Sequence, residues 1–130
     1  MSPNQPFPAN FKPSVVQLIL NKQTEDALEL LSKTYGVDVP KLKVGLPKGH
    51  VRTAYGTYSA KDQTICVMDS EIFGNPFVII HEFYHHLRSK SVDKQHRGTE
   101  KNADKFAIDF LKEYQVAATK AMLRKSENGL

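Results

Sequence analysis

The chain has one cysteine, Cys66, in 130 residues. A lone thiol excludes any intrachain disulfide and fits a reducing compartment. Cys66 lies in the run Thr64, Ile65, Cys66, Val67, Met68, where a thiol packed in the core is the ordinary reading. No apolar run approaches the roughly 20 residues that a membrane-spanning helix needs. The first residues, Met-Ser-Pro-Asn-Gln-Pro, lack a basic stretch followed by an apolar core. A secretory leader is therefore not expected, and a cytoplasmic location is. No internal repeat, low-complexity tract or nucleic-acid-binding motif stands out. The net charge is only +4, with lysines spread along the chain. That predicts a solvated basic surface, with no membrane partner and nucleic acid an unlikely one.

With 40% hydrophobic and 25% charged residues, the chain has the composition of one soluble globular domain. Prolines at 3, 6, 8 and 13 mark residues 1–13 as an extended arm, leaving 14–130 for the domain. Residues 14–35 read as helix in two pieces. Val15, Val16, Ile19 and Leu20 form one apolar patch; Leu28, Leu31 and Tyr35 form a second. Thr24 is the expected cap of the second piece and Gly36 its stop. Residues 41–44 alternate as a half-buried strand, and 55–59 and 64–68 read as a hairpin. The segment 46–52 is a surface connection, with His50 exposed. The order predicts an α+β fold: a small, mostly antiparallel sheet beside helices.

Against this ordinary background stands His81-Glu82-Phe83-Tyr84-His85, an H-E-x-x-H sequence. On a helix its two histidines lie one turn apart on one face, so both rings can bind one metal ion. Glu82 projects beside that ion, where it can take a proton from an activated water. Asn75-Pro76 supplies a cap and a first helical residue, and Arg88 and Lys90 suit the C-terminal end of the dipole. A helix over residues 76–90 follows, with Phe77, Ile80, Tyr84 and Leu87 as its expected core face.

Catalytic zinc usually takes three protein ligands and keeps one position for water or substrate. The third histidine of the metzincin spacing is missing, because Arg88 and Ser91 occupy the glycine and histidine positions. The downstream candidates are Asp93, His96, Glu100 and Asp104, and Glu100 is the best placed. Thr99 can cap a helix from Glu100 onward whose apolar face is Ala103, Phe106, Ala107, Phe110, Leu111 and Tyr114. Asp104 lies one turn on, where it can accept a hydrogen bond from the free nitrogen of a ligating histidine.

His81-Glu82-x-x-His85 followed by Glu100-x-x-x-Asp104 resembles the gluzincin branch of the zincin metallopeptidases. The stretch from Glu100 to Ala107 is similar to the second motif of ImmA/IrrE-type peptidases, and the small size to minimal gluzincins. The resemblance implies a single zincin-like domain. It implies a Zn2+ cofactor on His81, His85 and Glu100, with Asp104 supporting a histidine. It also implies a strand at the sheet edge, next to the motif helix, that pairs with an extended substrate. Residues 64–68 are the candidate for that strand, with an interior position as the alternative.

The expected activity is zinc-dependent hydrolysis of a peptide or protein substrate, with Glu82 as catalytic general base. His96, Arg97, Tyr55, Tyr58 and Tyr114 are candidates for stabilising the oxyanion. The alternative is a zinc-bound regulatory or protein-interaction domain with little or no peptidase activity. Residues 116–130 begin as amphipathic helix, which suggests a tail that shields the cleft.

Overall fold

The computed structural model of the chain describes residues 10–46, 55–90 and 100–128. In chain order these form α1 (Phe11–Leu20), α2 (Thr24–Tyr35), β1 (Lys41–Val44), β2 (Gly56–Ser59) and β3 (Thr64–Val67). A 3-10 turn (Ile72–Gly74), α3 (Pro76–Lys90) and α4 (Glu100–Asn128) follow. The fold is α+β: four helices and a three-stranded sheet.

Two helix boundaries have a clear local cause. Gly36, at φ +73, ends α2 in the left-handed conformation that glycine adopts without penalty. The Asn75 side chain accepts the Val78 N–H at 3.3 Å, capping α3 ahead of Pro76. Thr24 does not cap α2. Its hydroxyl donates instead to the Phe73 carbonyl at 2.5 Å, tying α2 to the 3-10 turn. The proposed Thr99 cap lies outside the described residues, as do residues 1–9 of the arm. Helix α1 already begins at Phe11 and carries Pro13 in its first turn, so residues 11–13 are helical rather than extended. Phe11 is buried, edge-on to Tyr35 and Phe110.

The sheet is mixed rather than mostly antiparallel. Its order is β1-β3-β2, with β1 parallel and β2 antiparallel to β3. All four residues of β3 are buried, so the most apolar strand takes the middle. Residues 64–67 are therefore interior and cannot be the free edge; β2 is the edge that packs on α3.

The core fills the space between α1, α2, α3, α4 and one face of the sheet. Val15, Ile19, Leu31, Ile65, Ile79, Ile80, Phe83 and Phe110 are among its fully buried members. A buried side chain of this size contributes about 1.5–3 kcal/mol. The core face of α3 is rotated from the expected stripe. Ile79, Ile80, Phe83 and His86 are buried, while Phe77, Tyr84 and Leu87 are only partly covered. This segment is apolar on nearly every side, so periodicity alone does not fix its orientation.

His86 is an unexpected core residue. It is fully buried. Its Nε2 lies 2.7 Å from the Asp38 carbonyl and its Nδ1 2.7 Å from the Tyr58 hydroxyl. A carbonyl only accepts, so Nε2 carries the proton and Nδ1 accepts from Tyr58. Burial holds the His86 pKa below the ordinary imidazole value. The unfolded chain therefore binds the proton first on acidification, and the stability contributed by neutral His86 is lost as pH falls below about 6.5. Buried Glu82, with its pKa raised to about 7, works in the opposite sense between its ordinary value and neutrality. The His86 effect is isolated by comparison with His86→Gln, which cannot take the proton. The stability advantage of the wild type over that variant should shrink between pH 7 and pH 5. Denaturant unfolding of the zinc-free chain at the two pH values measures it, and a pH-independent difference would remove this role for His86.

Candidate metal centre

Helix α3 carries His81 and His85 one turn apart, and the first residue of α4 is Glu100. The two helices pack closely. Tyr84 against Phe106 (5.4 Å between ring centroids) and buried Ala103 and Ala107 hold them together. The small side chains at 103 and 107 let the backbones approach, which brings the start of α4 to the imidazoles.

The Glu100 carboxylate spans both rings. One oxygen lies 2.8 Å from His81 Nε2 and the other 2.9 Å from His85 Nε2. One ligand atom from each of the three residues falls within 4.8 Å of the others. On the far side of its ring, His81 Nδ1 lies 2.9 Å from Asp104 Oδ1. A carboxylate accepts, so Nδ1 donates to Asp104, and Nε2 is the ring nitrogen left to face Glu100 and any metal held there. Burial holds His85 below the usual imidazole pKa, which favours the neutral, ligating form. A carboxylate oxygen at 2.8 or 2.9 Å from Nε2 is met by a proton on that nitrogen or by a cation that takes the proton's place among the three groups. This donor set fits a divalent ion of the zinc type, whose protein ligands are imidazole nitrogen and carboxylate oxygen.

Glu82 is buried, and its Oε2 lies 3.7 Å from His81 Nε2. Its pKa is raised to about 7, first by burial and further by Glu100, with His81 pulling it down. A cation at the triad would draw it lower again. Glu82 thus sits beside the three convergent donors, within reach of a group held among them.

A cavity of about 170 Å3 opens here, lined by Tyr55, Gly56, Phe77, Val78, His81, Glu82 and Glu100. It is not the largest hollow: those of about 400 Å3 and above lie along the outer half of α4 and beside β1, away from these residues. The chemistry, not the volume, marks the site.

The candidates for the oxyanion separate clearly. Tyr55 lines the cavity. The Tyr58 hydroxyl is engaged by His86 and Ser89. The Tyr114 hydroxyl donates to Gln17 at 2.9 Å, and at about 1.5 Å per residue it sits some 20 Å along α4 from Glu100. His96, Arg97, Asp93 and His50 lie outside the described residues. The C-terminal segment does not cover the cleft in its described part. It continues α4 away from Glu100, with every side chain from 115 to 125 exposed. Gly56 and His86 are the residues that sequence reasoning missed. Their partners on α3 are distant in sequence, so no local pattern announces them.

No protein-family model matches the chain, and neither does any curated protein or solved structure. No helix among the described residues is long and apolar enough to cross a membrane.

Proposed function

We propose that this protein is a zinc-dependent peptidase whose metal ligands are His81, His85 and Glu100. The observation that carries this reading is the Glu100 carboxylate, delivered by a separate helix onto both imidazole Nε2 atoms at 2.8 and 2.9 Å. Zinc, when bound, supplies a Lewis acid that brings the pKa of water near neutrality and polarises a carbonyl. Asp104 holds the His81 tautomer that offers Nε2 as a ligand. Glu82 accepts the proton of the attacking water and returns it to the leaving amine. Tyr55 is the described residue best placed to donate to the developing oxyanion.

The edge strand β2 supports a peptide as the substrate. The Met68 N–H donates to the Tyr55 carbonyl at 2.8 Å, so this pair is hydrogen-bonded across the sheet. Bonded and non-bonded pairs alternate in an antiparallel ladder. Gly56 and Tyr58 therefore direct their N–H and C=O groups outward, to the free edge. Gly56 also lines the cavity. An extended peptide that adds to this edge passes the metal ligands and Glu82.

The retained base weighs against a purely regulatory zinc domain, which needs no buried glutamate beside its metal. The test is hydrolysis of fluorescein-labelled, unfolded casein by the zinc-loaded chain. Cleavage that stops on chelation with 1,10-phenanthroline and returns with added zinc is expected. Casein left intact by fully zinc-loaded protein would contradict the peptidase reading and favour the regulatory one.

A further inference from the structure

Strand β2 meets α3 at two points, and both contacts come from the same face of the strand. The first is Gly56. A Cβ built there would stand 2.8 Å from Val78 Cγ1, 3.3 Å from the Cys66 carbonyl oxygen and 3.4 Å from Glu82 Cγ. Real methyl groups do not approach carbon at 2.8 Å, and Val78 has little freedom to withdraw. Its side chain is buried and β-branched, with one strongly preferred rotamer on a helix. Position 56 carries no positive φ, so steric closeness and not backbone conformation demands glycine here. The second point is Tyr58, whose hydroxyl reaches His86 Nδ1 at 2.7 Å and Ser89 Oγ at 3.1 Å. Residues 78, 82, 86 and 89 share one face of α3, so the strand runs along the helix that bears the metal ligands.

We infer that Gly56 is a positioning residue: its missing side chain lets the free edge of β2 sit against Val78 and Glu82, while the Tyr58–His86 contact fixes the strand's register along α3. The atoms nearest a Cβ at position 56 belong to Val78, Cys66 and Glu82, not to the three metal ligands. It sets the gap between the backbone that pairs with substrate and the carboxylate that takes the proton. A side chain there pushes the edge away from α3 and carries any paired peptide with it. This inference rests on the peptidase reading, in which β2 receives the substrate.

The experiment is a double-mutant cycle at 56 and 78 on the full chain. Gly56→Ala, Val78→Ala and the double variant are loaded with zinc and assayed on labelled casein. Gly56→Ala should lower kcat by about tenfold or more, since displacements on the ångström scale are this costly. Its zinc affinity should stay at the wild-type value, because the added methyl group meets Val78 and the Cys66 carbonyl first, not the three ligands. The double variant, in which the valine methyl groups are gone, should recover most of the loss relative to Val78→Ala alone. A Gly56→Ala enzyme with wild-type kcat would overturn the inference, and so would a double variant no better than Gly56→Ala. A wild type that binds zinc but leaves casein intact overturns the peptidase reading instead. The Gly56–Val78 contact is then judged by thermal unfolding of the same four zinc-free proteins. Strictly additive changes in Tm would overturn it as well; compensation in the double variant would uphold the contact.

Discussion

Glu82→Gln should retain zinc and lose casein hydrolysis by about 10^2- to 10^4-fold, the range for removing a positioned general base. The amide has the shape of the carboxylate but cannot accept the proton. Glu82 lies beside His81, not among the three convergent donors, so metal affinity has no reason to fall. The substitution also removes a buried ionisable group whose pKa burial has raised to about 7. The zinc-free variant should therefore be no less stable than the wild type at pH 8, where the parent must bury a charge. Turnover and zinc content measured on the same preparations give the answer. Undiminished turnover would remove Glu82 from the chemistry, and loss of zinc would place it among the ligands.

Glu100→Ala should reduce zinc affinity by about a hundredfold or more, because even partners outside the ligand set are worth about 10- to 100-fold. The fold should survive, since the Glu100 side chain is 76% exposed and its ion-pair contacts among the described residues are to the imidazoles. Asp104→Asn should fall between this variant and the wild type. An asparagine can still approach His81 Nδ1 but accepts more weakly than a carboxylate, so the Nε2 lone pair is less firmly presented. Competition titration against a chelator of known affinity measures all three proteins. Equal affinities would show that the convergence of α3 and α4 has no part in holding a metal.

Much of the site could be read from the chain because its signals are local. Asn75-Pro76 starts α3, the four-residue spacing puts both histidines on one face, and Glu100 and Asp104 differ by one helical turn. What lay beyond the sequence depends on packing between distant segments. The parallel direction of β1 against β3 is a choice that four residues do not encode. The central place of β3 left a trace, since Thr-Ile-Cys-Val has no alternation and suits a strand covered on both faces. His86 directly follows the motif and carries no local signal of burial. Only its partners, Tyr58 and Asp38, each more than two dozen residues away, make it part of the core. Thr24 shows the same effect in reverse: an evident cap whose hydroxyl goes to a partner 49 residues distant. Tertiary contacts prevailed over local preference at each of these positions.

The decisive measurement is zinc K-edge X-ray absorption on the zinc-loaded wild type, with metal content determined on the same sample. One zinc per chain is expected, in a shell of nitrogen and oxygen at about 2.0–2.2 Å with two imidazoles among the scatterers. Sulfur at about 2.3 Å, which would implicate Cys66, or a chain that takes up no stoichiometric zinc, would contradict the metal centre on which the proposed activity depends.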